Sequence, residues 1–197
     1  MTLPKDIQLS HWQQKRFNYS DIKQKALDLE KLKKQKAELD TEINLDSLTG
    51  LYNRRLFEKI SEDLDNSPDV GLVIFDSDNF KQINDNYGHT KGDEVLKRIA
   101  DVIKSNCHTR LHSVDDQVRA FDYPFRIGGD EFALILIQIQ LEDVSKVINR
   151  ITDNLKQENI SLSSGFAVTS KDMNFKQAFI QADQNMYQDK RAKQTTS

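Results

Sequence analysis

The chain's 197 residues suit one domain with an appendage, and 37% hydrophobic with 30% charged residues allow a packed core under a well-solvated surface. Sparse glycine and proline argue against a fibrous or disordered chain, and a net charge of -3 lacks the basic excess of general nucleic-acid binders, so no nucleic-acid partner is expected. The single cysteine, Cys107, excludes an internal disulfide; with no apolar run near the about 20 residues that span a bilayer and no apolar signal core between Met1 and Ser20, a cytoplasmic protein without membrane insertion is expected.

The stretch from Asp21 to Asn44 has no Gly or Pro and is rich in Lys, Leu, Glu and Gln, which predicts a helix with Ser20 as its N-cap. Ile22, Leu29 and Ile43 recur at sevens, with Leu32 and Leu39 three residues after such positions, and Lys25 and Lys36 interrupt the seam. Either a short coiled coil or a single amphipathic helix lying on the domain satisfies that pattern. Residues 1–45 therefore form an N-terminal helical segment, and 46–197 a globular domain.

Within the domain, Asn53 is placed to cap a helix with Leu56, Phe57, Ile60 and Leu64 on its apolar face, and Pro68 marks a turn. The continuous apolar run from Val70 to Phe75 is expected of a strand buried on both faces. Two helical segments follow, broken at Gly88, the second carrying Val95, Leu96, Ile99, Val102 and Ile103 at helical spacing. Tyr123 to Ile127 and Glu131 to Ile139 read as strands around a two-glycine hairpin turn, Gly128-Gly129. A helix through Val144, Val147, Ile148, Ile151 and Leu155, a strand from Ile160 to Val168 and a helix from Phe175 to Lys193 complete the order. Strand, helix, helix, hairpin, helix, strand, helix predicts an α+β sandwich, with helices packed on a mostly antiparallel sheet.

Asp76 ends the buried strand, and Asp130 and Glu131 follow the glycine turn. If the strand pairs beside the hairpin, the three carboxylates converge, and grouped carboxylates raise one another's pKa unless a cation is present. Mg2+, held by a few carboxylates with phosphates and water, suits such a cluster. Taken alone, a solvated acidic hairpin is the simpler account of these residues.

Several motifs in order favour the sharper reading. Gly128-Gly129-Asp130-Glu131-Phe132, the stretch from Asp46 to Arg55 (DSLTGLYNRR), the stretch from Asp76 to Asp93 (DSDNFKQINDNYGHTKGD), and Ala182-Asp183 with Met186-Tyr187 and Lys190 together resemble the GGDEF family, the diguanylate cyclases. The resemblance runs from Asp46 to about Lys190. It implies a palm-like sandwich related to nucleotidyl cyclases, one GTP per protomer, and a homodimer that joins two GTP molecules into cyclic di-GMP with release of pyrophosphate.

The resemblance also implies roles. Asp76 and Asp130 match metal-binding carboxylates, Ser77 offers a backbone carbonyl, and the ion is Mg2+, with Mn2+ as the other candidate. Glu131 either assists deprotonation or completes the metal site. Asn84 and Asp93 match guanine readers, since a carboxylate pairs with the guanine N1 and N2 protons that adenine lacks; their plain readings are an amide capping the break at Gly88 and a first-turn helix acid. His89 matches a position beside the base or ribose. Asn79, Phe80 and Lys81 start the helix after the metal strand, where backbone N–H groups favour phosphate. Lys81 and Lys190 match positions near the triphosphate, and Gly128 and Gly129 give the nucleotide access. Arg119 and Asp122, ahead of Gly128, match the family's inhibitory site for cyclic di-GMP; the plain reading is a surface ion pair.

Three departures from the family pattern stand out. Lys193 and Gln194 occupy the places of a Gly-Arg pair, so a triphosphate arginine is missing, and Lys193 on the same face as Lys190 is the candidate substitute. The sequence ends before a short final strand that relatives carry. About ten residues around Cys107 to Asp116 look inserted; Cys107, His108, His112, Asp115 and Asp116 match no tetrahedral zinc spacing, and a solvated loop is expected. The competing function is a catalytically weak effector that binds cyclic di-GMP and signals through a partner.

Overall fold

Strand β2 (Val70–Ser77) is buried at every one of its positions, because helices cover its apolar run from both faces. The structure is a computed structural model that describes residues 22–35, 43–107 and 122–196. The chain divides into two compact units, 1–43 and 44–197. In the first, residues 22–35 are helical (α1), and Ile22, Leu29 and Leu32 are exposed along it. Ser20, Lys36 and Leu39, expected in the cap and seam, lie outside the described residues.

The second unit opens with a two-residue strand, β1 (Tyr52–Asn53), and continues through α2 (Arg54–Asp63), β2, α3 (Phe80–Tyr87) and α4 (His89–Ser105). Then come β3 (Tyr123–Arg126), β4 (Glu131–Ile137), α5 (Leu141–Lys156), β5 (Leu162–Val168) and α6 (Phe175–Thr196). The sheet order is β1-β3-β4-β2-β5. Among the described residues, only β1 and β3 pair in parallel and the other neighbours are antiparallel, as the α+β reading expects. Among the described residues, no helix is long and apolar enough to cross a membrane.

Alternation along β2 and β4 creates two cores. Val73, Phe75, Phe132, Leu134 and Leu136 meet α4 and α5 through Leu96, Ile99, Ile148 and Ile151. Leu72, Ile74, Ala133 and Ile135 meet α2 and α6 through Phe57, Phe175, Ala178, Ala182 and Met186. The Asn53 side chain accepts from the Leu56 N–H at 3.1 Å, the expected N-cap of α2. Gly88, at φ +82°, separates α3 from α4 in a backbone region that few other residues enter.

The structure departs from the sequence reading at element ends. β1 was not expected, since two residues cannot show a period. β4 stops at Ile137, β5 begins at Leu162, and α6 extends to Thr196. The hairpin is wider than a two-residue turn: Arg126 pairs with Phe132, and the N–H groups of Ile127 and Gly128 both donate to the Glu131 carbonyl, at 3.0 and 3.3 Å. Neither hairpin glycine has a left-handed φ, so the tight primed turn is absent.

Candidate active site

Asp76 follows Leu72 and Ile74 on the strand face that packs α6, and register sets it opposite Glu131. The next N–H, of Ser77, donates to the Asp130 carbonyl at 3.2 Å. Pairing of β2 with β4 thus brings the three expected carboxylates to one end of the sheet. Ser77 alternates to the opposite face, where its hydroxyl is buried without a hydrogen-bond partner.

Met186 on α6 is in the core, and one turn later Lys190 stands over Asp76, its Nζ donating to Oδ1 at 2.5 Å. Partial burial and then the Asp76 charge push the Asp130 carboxyl above its ordinary range. Burial, Asp76, Asp130 and Asp183 do the same to Glu131, with Arg54 opposing. Burial alone would lower the Lys190 ammonium, but its hydrogen bond to Asp76 and the charges of Asp76, Asp130 and Asp78 hold it above the ordinary lysine value. The site is a carboxylate cluster with too little positive charge of its own. Gly128 makes room for it, because a Cβ there would lie 2.4 Å from Glu131 Oε2.

These hard oxygen donors fit a hard divalent cation. Among the described residues, no three of His, Cys, Asp and Glu form a group that could hold a metal ion by themselves. Such an ion would need its coordination completed by oxygen ligands and water from outside the protein.

Beside Lys190 lies a cavity of about 800 Å³ lined by Asp78, Asn79, Ser161, Lys190, Lys193 and Gln194, among others. Asn79 caps α3 from a left-handed backbone conformation, φ 59°, with no side-chain cap bond, so the first N–H groups of that helix are not used by a capping side chain. Phe80 is half-buried against the α4 core and Lys81 is exposed. Asp78 accepts from the hydroxyls of Ser161 and Ser163, both at 2.5 Å. Lys193 donates to the Leu162 carbonyl at 2.6 Å and to Asp189 at 2.7 Å, so its ammonium braces α6 against β5 within that wall.

Asn84 does not cap the break at Gly88 with its side chain; its backbone carbonyl accepts the Gly88 N–H at 2.9 Å. Its Oδ1 is buried with no hydrogen-bond partner and lies against α4 where a Cβ on Gly92 would come within 2.0 Å of it. A buried acceptor without a donor is costly. Asp93, next to Gly92, is exposed and sits beyond the first turn of α4, which has no acidic residue; the helix-dipole reading of Asp93 therefore fails. His89, exposed, opens α4.

A strap across the hairpin was not anticipated. Arg126 donates through Nε and Nη2 to the Gly129 carbonyl, at 3.1 and 2.7 Å, and pairs through Nη1 with Asp46 at 3.1 Å. Burial opposes ionisation of Asp46, yet hydrogen bonds from Thr49 and the Arg126 guanidinium hold its carboxyl below the usual range. An arginine two residues before the glycine pair was the available signal. Of the expected inhibitory pair, Asp122 is half-buried and Arg119 lies outside the described residues, as does the inserted stretch after Cys107. Burial, and then Asp122, push the Cys107 thiol far up.

Residues 43–196 match the family model described as "Diguanylate cyclase, GGDEF domain". The chain is 34% identical over 170 residues to the diguanylate cyclase DgcS of Shewanella oneidensis, covering 79% of this chain and 52% of that protein. It is also 34% identical over 166 residues to the diguanylate cyclase VdcA of Vibrio cholerae, covering 79% and 46%. The chain thus spans about half the length of these curated relatives. Among solved structures, the coiled coil and GGDEF domain of DgcB from Caulobacter crescentus, in complex with c-di-GMP, superposes with a TM-score of 0.72 at 23% identity, over 88% of this chain and 94% of that one; that likeness shows the fold. With the match covering every element of the second unit, the chain belongs to the GGDEF family of diguanylate cyclase domains.

Proposed function

We propose that the chain is an active, metal-dependent diguanylate cyclase that condenses two GTP into cyclic di-GMP and releases two pyrophosphates. The observation that carries this reading is the meeting of Asp76, Asp130 and Glu131 at one end of the sheet, with Lys190 paired to Asp76. Asp76 and Asp130, with the Ser77 carbonyl, would hold Mg2+ or Mn2+ together with substrate phosphates and water, and the bound ion would supply positive charge at the α-phosphate. Asn84 and Asp93 bind the guanine edge, and His89 lies beside it. The start of α3 at Asn79, Phe80 and Lys81, together with Lys190, binds the phosphate tail. Glu131, its carboxyl pushed up, is suited to take the 3′-hydroxyl proton as that oxygen attacks the other nucleotide's α-phosphorus and pyrophosphate leaves. Each protomer supplies one GTP, so the working form is a homodimer with the two sites facing one another. Product held by Arg119 and Asp122 inhibits by favouring a non-productive arrangement. Residues 1–45 act as a helical segment and 46–197 as the catalytic domain, in a cytoplasmic setting.

Gln194 on the cavity wall gives no charge to the phosphate tail, which keeps a second reading open: an effector that binds cyclic di-GMP without making it. One assay separates the two. Purified protein is incubated with GTP and Mg2+, and nucleotides are resolved by chromatography. Cyclic di-GMP with pyrophosphate is expected, and Asp130→Asn should lower the rate by about 10²–10³, the scale of losing one transition-state charge contact. Calorimetric binding of cyclic di-GMP without synthesis supports the effector; neither activity overturns both.

A further inference from the structure

The Lys190 ammonium has two places to go. Asp76 is buried and lies opposite Glu131, and Asp130 is close enough for the two charges to act on one another. Lys190 makes the cluster's direct ion pair with Asp76 among the described residues. The same side chain also lines the cavity that runs past Asn79 and the start of α3. Lys193 does not duplicate it, since that ammonium is held by the Leu162 carbonyl and Asp189 and its longer ion pair, at 3.9 Å, is with Asp78 and not Asp76. A buried carboxylate left without its partner is strongly unfavourable, so a divalent ion approaching Asp76 must displace the ammonium, and the ammonium needs another anion to move to. The phosphate tail of a nucleotide in the adjoining cavity is that anion.

We propose that Lys190 is a resident counter-ion that neutralises Asp76 until substrate arrives, and that its transfer from Asp76 to the phosphates couples metal binding to nucleotide binding. This rests on the nucleotide reading of the cavity given above. The free protein binds divalent metal weakly, the nucleotide brings metal in, and each raises the affinity of the other by the same factor, as linkage requires. The site thereby avoids holding a metal ion with no substrate to act on.

The test uses the full chain without nucleotide and reads Mn2+ binding by the electron paramagnetic resonance of free Mn2+. Lys190→Met removes the competing charge and should tighten Mn2+ binding at least about tenfold, within the usual range of coupling between sites. Lys190→Arg keeps the charge and should stay near wild type, while Asp76→Asn should lose Mn2+ in every background. Circular dichroism melts confirm that each variant is folded. Calorimetry with guanosine 5′-(α,β-methylene)triphosphate then measures the other arm: Mn2+ should tighten analogue binding in wild type and do so much less in Lys190→Met. An unchanged Mn2+ affinity in Lys190→Met, with normal analogue binding by wild type, overturns the counter-ion role and leaves the cyclase reading intact. Tighter Mn2+ binding in Lys190→Met with no analogue binding by wild type supports the counter-ion role and sinks the cyclase reading.

Discussion

The position of Lys190 depends on how closely α6 lies on β5, and that approach is set at Gly165. A Cβ built there would lie 2.1 Å from the Met186 nitrogen, 2.2 Å from the Ala182 oxygen and 2.7 Å from the Asn185 carbonyl carbon. All three obstacles are helix backbone, so no side-chain rotation relieves them. In Gly165→Ala the helix must retreat by about 1.4 Å to restore an ordinary 3.5 Å contact. Ala178, Ala182 and Met186 lose their seat in the α2–α6 core with it. Overpacking costs about 1–3 kcal/mol, and a rigid obstacle belongs at the upper end, about 3 kcal/mol. For a unit of this size that lowers the melting temperature by roughly 6–12 °C. The same retreat draws Lys190, one turn beyond Met186, away from the cavity it lines as well as from Asp76, so the apparent affinity for GTP should fall along with stability. Far-UV circular dichroism melts, with GTP titrations on the folded variant, measure both. Gly129→Ala is the control, since nothing lies within 4 Å of a Cβ there, and its stability should change by no more than about 0.5 kcal/mol. A Gly165→Ala melt within about 2 °C of wild type would refute the close approach.

Arg126→Met releases the Gly129 carbonyl and leaves Asp46 without its cation, and should cost about 1.5–3 kcal/mol in urea unfolding, the range for hydrogen bonds to charged groups. Because the folded pKa of Asp46 is depressed, its contribution is present above the ordinary carboxylate pKa and is lost as pH falls through the folded one; the acid limb of stability against pH should flatten in Arg126→Met, and an unchanged limb would show that Thr49 alone holds Asp46. Asp130 has the opposite sign. Its folded pKa is raised, so ionisation costs stability as pH rises through the carboxylate range, and Asp130→Asn should stabilise the metal-free protein by a few tenths of a kcal/mol at neutral pH, the scale of partly exposed charges, while leaving it unchanged in acid. Destabilisation at neutral pH would contradict the clustering. Asp93→Ala should weaken GTP binding by about 1–3 kcal/mol and narrow the preference over ATP; equal GTP binding in calorimetry would remove Asp93 from base recognition.

What could be read before the structure follows from range along the chain. The β2 run, the Asn53 cap, the Gly88 break and the helix faces are local, and periodicity or a single side-chain bond shows each of them. Gly165 also carried a local signal, since a glycine inside a strand marks a bulge or a close approach of backbone, although only the structure identifies α6 as what approaches. The two-residue β1 has no period to detect, and the hairpin loop depends on Arg126 reaching back 80 positions to Asp46. The ordered motifs carried the acidic residues of the site, whereas their cost is met by Lys190, 114 positions beyond Asp76. Nothing in the spacing of those two residues announces a pair; it arises because β2 lies beside β5, β5 admits α6 at Gly165, and Met186 fixes the rotation of the helix one turn before Lys190. A chain that places carboxylates together must also place the charge that tolerates them, and here the α6–β5 contact supplies it.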